Sequence, residues 1–136
     1  MTGLVAGVDI GGTKIAVGAV GPDGAVHAQA TAPTPAREGA DAVLSTVRQL
    51  ISGLGRPVEA IGVGSAGVID AASGTVRSAT EAISGWAGTD LAGRLGSAFG
   101  VPVAVDNDVH AHALGEAWLG AAAGRTNVLY MAAGTG

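Results

Sequence analysis

The sequence predicts an α/β fold with a mixed sheet that begins with three antiparallel strands and is flanked by helices. Two apolar stretches, residues 4–12 (LVAGVDIGG) and 13–21 (TKIAVGAVG), surround a pair of glycines, which predicts a β-hairpin. A turn at residues 21–25 (GPDGA) leads into residues 26–32 (VHAQATA), a third strand that is ended by prolines. Beyond residue 38, helical and extended patterns alternate, as in layered α/β domains.

A helix and a buried strand open the alternating part. Apolar residues recur at helical spacing over residues 38–54 and form one stripe: Ala42, Val43, Val47, Leu50, Ile51 and Leu54. Residues 58–64 (VEAIGVG) then predict a buried strand. The segment 65–90 is irregular, with short extended pieces around a turn at residues 71–74, and long irregular segments in compact domains are often functional.

Two further helices and two strands complete the expected order. Thr89 or Asp90 can cap a helix, and residues 101–106 (VPVAVD) predict the strand after it. The next helix is expected to begin at Asn107 or Asp108 and to end at Gly124. Its apolar face would be Ala111, Leu114, Trp118 and Ala121. Residues 126–136 (TNVLYMAAGTG) predict a last buried strand that runs into a glycine turn.

Composition limits the class of partner. The 136 residues suit one domain, with 48% hydrophobic residues, a net charge of -4 and no run of Lys or Arg. This balance argues against nucleic-acid and membrane partners and favours a small molecule. Cysteine is absent, which excludes disulfides and thiolate zinc sites, and no signal peptide or membrane span is evident, so we expect a cytoplasmic location.

The glycines at residues 62–67 (GVGSAG) match the dinucleotide-binding fingerprint letter for letter. That fingerprint must open a helix, because the pyrophosphate binds to amides at a helix N-terminus. The residues that follow show a turn and no helical stripe. We therefore interpret the motif as a glycine loop that lets the backbone approach a neighbour or a ligand.

Residues 7–14 (GVDIGGTK) nearly spell a Walker A loop, but Thr13 and Lys14 come in the reverse order. A hairpin tip here would expose backbone amides and the Thr13 hydroxyl to a phosphate group. Asp9, at the end of the strand, could hold hydrated Mg²⁺. An ordinary glycine hairpin is the simpler alternative. We expect Asp9 to be buried among apolar residues, which favours the phosphate site because a buried carboxylate needs a partner.

A second polar cluster lies in residues 105–118 (VDNDVHAHALGEAW). Asn107 and Asp108 would occupy the first turn of a helix, where the helix dipole favours an ionised carboxylate. Asp108 could accept a proton from a hydroxyl group, and Asn107 could donate to or accept from a polyol. Capping of the helix by Asn107 or Asp108 is the simpler alternative, and the two roles are compatible.

Other side chains in this region have less specific interpretations. His110 and His112 would point about 200° apart on a helix and could not share a metal ion. Glu116 is expected to pair with His112 at spacing i,i+4. Trp86 in the irregular segment is either a platform that faces a sugar or a core residue.

Taken together and in this order, these stretches resemble the ROK family of sugar kinases, in the actin/hexokinase superfamily. The resemblance covers nearly the whole chain: DIGGTK (9–14), GVGSAGVIDAASGTV (62–76), GWAGTDLAGRLGSAFGVPVAVDNDVHAHALGEA (85–117) and AAGTG (132–136). It implies a ribonuclease H-like actin/hexokinase ATPase lobe. Residues 1–136 would form the N-terminal lobe of such a kinase, with the C-terminal lobe absent from this sequence.

The resemblance also implies roles for single residues. Asp108 would be the general base that takes a proton from the sugar hydroxyl, and Asp9 would bind Mg²⁺ through water. Sugar hydroxyls would be held by Asn107, Ser65, Gly67 and Thr80. The phosphates of ATP would be bound by two hairpins, with residues Gly11, Gly12, Thr13 and Lys14 in one and Gly134, Thr135 and Gly136 in the other.

The implied function is ATP-dependent phosphorylation of a hexose or N-acetylhexosamine, in a protein that is a homodimer at full length. Zinc would be bound only by the C-terminal lobe. Ala66 replaces the proline usual before the loop glycine, and Thr80 lies near a site that is often asparagine, so the sugar is not identified. Two alternatives stay open: a sugar-sensing transcriptional regulator, for which residues 1–4 leave no room for a helix-turn-helix, and an inactive sugar-binding fragment.

Overall fold

The computed structural model describes residues 3–132. Within these residues, seven strands and three α-helices follow the expected order: β1 Leu4–Ile10, β2 Lys14–Val20, β3 Val26–Pro33, α1 Ala40–Gly53, β4 Val58–Ser65, β5 Val68–Asp70, β6 Thr75–Ser78, α2 Leu91–Phe99, β7 Val103–Asn107 and α3 Asp108–Leu119. A short 3₁₀ helix, Ala36–Glu38, precedes α1.

In the part of the chain that the structure describes, the main sheet has five strands in the order β3-β2-β1-β4-β7. β2 pairs antiparallel with both β1 and β3, whereas β4 runs parallel to β1 and β7 runs parallel to β4. β5 and β6 form a separate two-stranded sheet inside the irregular segment. The mixed sheet with three antiparallel N-terminal strands is therefore confirmed.

One face of the sheet carries most of the core. Ala6, Val8 and Ile10 alternate with more exposed residues along β1, and their neighbours in β2 and β4 are buried on the same face. The buried residues of α1 and α2 join the same cluster: Val43, Leu44, Val47, Ile51, Leu91 and Leu95. Each fully buried aliphatic side chain of this kind stabilises the fold by about 1.5–3 kcal/mol.

The opposite face is built from small and polar residues. Gly7 and Asp9 in β1 lie beside Gly62 and Gly64 in β4, and α3 packs against this face. Glycine has no Cβ, so a helix can approach the strands closely here. The two faces therefore differ in composition. One is covered by the aliphatic core, and the other exposes backbone groups and carboxylates.

Two predicted helix boundaries are wrong. The helix expected from Glu38 is interrupted at Gly39, whose φ of 95° is left-handed, and α1 begins at Ala40. α3 ends at Leu119, because Gly120 adopts an extended conformation, although its N–H still donates the last helical bond to the Glu116 carbonyl. No helix among residues 3–132 is both long and apolar enough to cross a lipid bilayer.

The strand predicted at residues 126–136 is also wrong over residues 126–132, the part of it that the structure describes. Residues 126–132 are not in a strand, and the side chains of Leu129 and Met131 are 85% and 80% exposed. A strand needs a neighbour that accepts its backbone hydrogen bonds, and β7 pairs only with β4 in the described sheet. Residues 133–136 lie outside the described residues.

Candidate active site

Three parallel strands end together at one edge of the sheet. Asp9 in β1, Gly64 in β4 and Asp106 in β7 are direct partners in the register. The carboxyl ends of parallel strands form the usual binding edge of open α/β sheets. Two carboxylates therefore flank a glycine on the face that α3 covers.

Gly64 explains how close α3 lies to the sheet. A Cβ at residue 64 would lie 3.1 Å from the Cβ of Ala111 and 3.4 Å from the Cα of Asp108. These distances are at or below normal van der Waals contact, so a larger residue would push the helix away. The glycine therefore sets the position of the first turn of α3, which carries Asp108.

Asn107 links that turn to the glycine loop. Its Oδ1 accepts the Val109 N–H at 2.9 Å, which caps α3, and its Nδ2 donates to the Gly67 carbonyl at 2.7 Å. The simpler interpretation of Asn107, as a helix cap, is therefore confirmed. The second bond shows that the same side chain also holds a loop 40 residues earlier in the chain.

Asp108 is the first residue of α3 and is partly buried. Its Oδ1 accepts the Val109 N–H at 2.9 Å, and no cation within residues 3–132 forms an ion pair with it. The carboxylate keeps acceptor capacity beyond this one bond. An incoming hydroxyl group could therefore be bound by Asp108.

Gly67 has a conformation that only glycine adopts easily. Its φ is 101°, and a Cβ there would lie 2.9 Å from the Ser78 carbonyl oxygen. The short strand β5, and not a helix, follows the loop. Gly62 and Gly64 lie within β4, so only Ala66 and Gly67 form the loop. Close backbone approach occurs at Gly67, and the helix that a dinucleotide fingerprint requires is not formed after the motif.

Ser65 and Trp86 lie beneath this loop. Ser65 is fully buried, and its hydroxyl accepts from the Trp86 Nε1 at 3.1 Å and donates to the Ala66 carbonyl at 2.9 Å. Trp86 is 1% exposed and its Nε1 also lies 3.2 Å from the Ala66 carbonyl. Trp86 is therefore a core residue and not a sugar platform. Ser65, expected to contact the sugar, instead supports the loop from inside.

The phosphate hairpin joins β1 and β2. The Gly11 N–H donates to the Lys14 carbonyl at 3.0 Å, which closes the tip, while the Thr13 and Lys14 side chains are exposed. Thr34, after β3, donates its hydroxyl to the Gly11 carbonyl at 2.7 Å and its N–H to the Thr13 carbonyl at 2.9 Å. Sequence reasoning missed Thr34, although a hydroxyl residue between two prolines, next to the predicted hairpin, was a usable signal.

Gly12 packs against the irregular segment. A Cβ at this position would lie 3.3 Å from the Cβ of Ala82, which is tight. Thr80, two residues earlier, is exposed. The irregular segment is thus placed between the phosphate hairpin and the glycine loop. Gly134, Thr135 and Gly136, expected in the second phosphate hairpin, lie outside the described residues.

Asp9 is not buried, contrary to expectation. Its side chain is 48% exposed, and its Oδ2 lies 3.5 Å from the Nε2 of His112. Asp9 projects from the small-residue face, where few side chains can cover it. A half-exposed carboxylate at the end of a strand suits hydrated Mg²⁺, which keeps most of its waters and takes one or two carboxylates.

The two histidines of α3 face different carboxylates, as their spacing predicts. His110 contacts Asp106 through Nδ1 at 3.2 Å, whereas His112 contacts Asp9. The expected pair of His112 with Glu116 is absent; Glu116 instead accepts the Ala121 N–H after the helix end. Residues 3–132 contain no group of three metal-ligating side chains.

A cavity of about 650 Å³ runs along the small-residue face beside α3. Asp9, Asp106 and His112 line it together with glycines of β1, β2 and β4. Asn107, Asp108 and Gly67 do not line it. The cavity is therefore adjacent to the predicted sugar site but distinct from it.

Comparison with known proteins identifies the family. The ROK family model matches residues 5–136, and the chain belongs to the ROK family. The chain is 35% identical to a glucokinase from Streptomyces coelicolor over 136 residues, which is 98% of this chain and 42% of that protein. It is also 38% identical over 76 residues to a putative xylose repressor from a Caldicellulosiruptor species, covering 56% of this chain and 18% of that protein.

The fold agrees with this assignment. The crystal structure of a ROK family glucokinase from Streptomyces griseus, in complex with glucose and AMPPNP, matches with a TM-score of 0.82 and 38% identity. The match covers 90% of this chain and 38% of that one. The architecture is that of the actin/hexokinase ATPase fold. The chain spans about two fifths of the length of these two glucokinases.

Proposed function

We propose that this chain is the N-terminal lobe of an ATP-dependent kinase that phosphorylates a hydroxyl group of a hexose or N-acetylhexosamine. The contact between Asn107 and Gly67 carries the proposal, because it brings the glycine loop against the turn that bears Asp108. Similarity to glucokinases supports the reaction class. The sugar itself is not assigned.

Asp108 is the general base in this proposal. Its carboxylate accepts the proton of the attacking sugar hydroxyl as the oxygen bonds to the γ-phosphorus of ATP and the bond to the β-phosphate oxygen breaks. Phosphoryl transfer needs mainly positioning and charge neutralisation, so a well-placed carboxylate suffices as the base. Asn107 and the Gly67 loop hold neighbouring hydroxyls of the sugar. Thr80 lies at the margin of this sugar site, and Ser65 supports the loop from inside.

The hairpin between β1 and β2 binds the phosphates of ATP. Its tip presents Gly11 and Gly12 for close approach, the Thr13 hydroxyl as a donor, and the Lys14 ammonium as a positive charge. Asp9 holds hydrated Mg²⁺, which supplies charge neutralisation when bound. Gly134, Thr135 and Gly136 stay predicted members of a second phosphate hairpin.

The remaining expectations concern the longer protein. The S. coelicolor glucokinase is more than twice as long as this chain, since the match covers 42% of it. A second lobe would complete the ATP site, and a zinc site, if present, would belong to that lobe. The homodimer, the cytoplasmic location and the absence of nucleic-acid and membrane partners stay predictions.

A coupled ADP-release assay tests the proposal. The full-length protein is incubated with Mg-ATP and a panel of hexoses and N-acetylhexosamines, beside the Asp108→Asn variant. Asp23→Asn is the matched control, because Asp23 lies in the exposed turn at the other end of β2, and asparagine keeps the acceptor for the Ala25 N–H. Sugar-dependent ADP release that is lost only in Asp108→Asn is the expected result.

A sugar-sensing regulator is the second candidate, favoured by the similarity to a putative xylose repressor. Such a protein would bind a sugar without releasing ADP. Isothermal titration with the same panel separates the two functions. Sugar binding by a protein that releases no ADP would contradict the kinase and favour the regulator or an inactive sugar-binding protein.

A further inference from the structure

The turn that carries Asp108 is also held from its other side. Oδ1 of Asp106 accepts the backbone N–H of Asn107 at 2.7 Å and lies 3.2 Å from Nδ1 of His110. One carboxylate oxygen therefore connects the end of β7 to the first turn of α3. The Asn107–Asp108 pair lies between the two residues that make this connection.

The chemistry of the contact determines which nitrogen carries the proton. An ionised carboxylate only accepts hydrogen bonds, so Nδ1 of His110 must be the donor. In a neutral ring, Nε2 is then the unprotonated nitrogen. His112 differs, since its Nε2 faces Asp9. The two histidines can therefore be distinguished by the tautomer of each ring.

Asp106 is well placed to transmit this contact. It pairs with Gly64 in the register of β4 and β7, so its backbone is fixed in the sheet. Its carboxylate has two partners: one is the backbone of the residue before Asp108, and the other is a side chain one helical turn later. Movement of His110 would therefore change the support of the Asn107 backbone.

We propose that His110 is a positioning residue for the kinase reaction, acting through Asp106 on the backbone of Asn107 and thereby on the direction of the Asp108 carboxylate. This inference rests on the proposed function. The side chains of His110 and Asp106 are 72% and 36% exposed, so their contact adds little to global stability. Its effect belongs to the alignment of the base, where small displacements lower the rate strongly.

Three substitutions of His110 separate this role from simple packing. His110→Ala removes the donor, His110→Asn places an amide nitrogen where Nδ1 lies, and His110→Gln places it nearer the position of Nε2. We expect kcat to fall about fivefold in the alanine and glutamine variants, with the KM for ATP unchanged. The asparagine variant should stay within about twofold of wild type. His27→Ala, an exposed histidine of β3, is the control.

Nuclear magnetic resonance of the full-length protein labelled with ¹⁵N-histidine and ¹⁵N-asparagine provides a readout that does not need turnover. We expect the Nδ1–H tautomer for His110, and an Asn107 amide resonance that shifts in His110→Ala but not in His27→Ala. The Nε2–H tautomer, an unchanged Asn107 resonance, or equal kcat in the alanine and asparagine variants would each overturn the proposal.

Failure of the proposed function has a different signature. Suppose that His110 has the expected tautomer and that the Asn107 resonance shifts in His110→Ala, but that no sugar of the panel stimulates ADP release. The contact is then correct and the kinase assignment is wrong. The positioning role in the kinase reaction is overturned as well. If turnover is present but the contact is absent, only the role of His110 is overturned.

Discussion

The side-chain amide of Asn107 donates a 2.7 Å hydrogen bond to the carbonyl of Gly67, while its oxygen caps helix α3 at Val109. Both ends of one short side chain are thus used. The glycine loop after β4 and the first turn of α3 cannot move independently while these bonds persist. These two bonds therefore help to fix the position of Asp108, the next residue.

Substitution of Asn107 tests the link directly. Asn107→Asp keeps the cap, since aspartate caps as well as asparagine, but turns the donor toward Gly67 into an acceptor. We expect sugar affinity to fall and the free energy of unfolding to fall by about 1–3 kcal/mol, because the Gly67 carbonyl loses its partner and faces a carboxylate. Urea unfolding and calorimetric titration with the preferred sugar measure the two effects.

Asn107→Ala is the companion variant, because it removes the cap as well as the bond to Gly67. It should lower the free energy of unfolding by a further ~1 kcal/mol relative to a variant that keeps the cap. Equal stability and equal sugar affinity in wild type, Asn107→Asp and Asn107→Ala would show that the bond from Asn107 to Gly67 contributes neither to folding nor to sugar binding.

Gly67→Ala should destabilise the protein. The left-handed φ of 101° and the 2.9 Å approach to the Ser78 carbonyl both oppose a Cβ. A cost of about 1–3 kcal/mol is expected in urea unfolding. Gly53→Ala is the control, since Gly53 lies at the end of α1 with open space around its Cβ position, and alanine there should be neutral or stabilising by up to about 1 kcal/mol. Similar effects at both glycines would contradict the geometry described for the loop.

A double-mutant cycle on Ser65 and Trp86 tests the support of the loop from inside. In Ser65→Ala the indole N–H of Trp86 can still donate to the Ala66 carbonyl. The free energy of unfolding is therefore expected to fall by only about 0.5–1.5 kcal/mol. Trp86→Phe removes the donor and some buried volume, and should cost about 2–4 kcal/mol. The two effects should be coupled because the residues share a hydrogen bond. Strictly additive effects in chemical denaturation would refute a direct interaction.

The exposed apolar end of α3 should make this 136-residue chain associate with itself. Leu114, Trp118 and Leu119 are 65%, 55% and 58% exposed. Apolar patches of this kind favour aggregation or pairing. Multi-angle light scattering should detect oligomers of the chain, and Leu114→Lys with Trp118→Glu should reduce them. A monodisperse monomer of the unmodified chain would contradict this expectation.

Much of the fold could be predicted because local patterns agree with the tertiary structure. Three local patterns each predict one type of structure, and the structure contains all three: a hairpin at glycines 11 and 12, a turn at residues 21–25 and the helix α1 with its apolar stripe. The failures occur where burial depends on a neighbour. Residues 126–132 are apolar enough for a strand, yet they have no strand partner in the described sheet. α3 ends at Leu119, five residues before the predicted Gly124, because Gly120 already leaves the helical conformation.

The candidate site was predictable in its residue types but not in its contacts. Asn107 and Asp108 follow from the sequence of strand end and helix cap. The bond from Asn107 to Gly67 does not, because it joins residues 40 positions apart. Burial also could not be inferred from neighbours along the chain. Asp9 follows an apolar stretch yet is half exposed, whereas Ser65 and Trp86 lie in a glycine-rich region yet are buried.

The most direct test of the central claim is sugar-dependent ADP release by the full-length protein and its Asp108→Asn variant, measured at saturating sugar and Mg-ATP. Asparagine keeps the size of the side chain and its acceptor for the Val109 N–H, but it cannot take up the proton. A fall in kcat of about 10²-fold or more, with sugar affinity retained, is the predicted result. Turnover at the wild-type rate in Asp108→Asn would contradict the account.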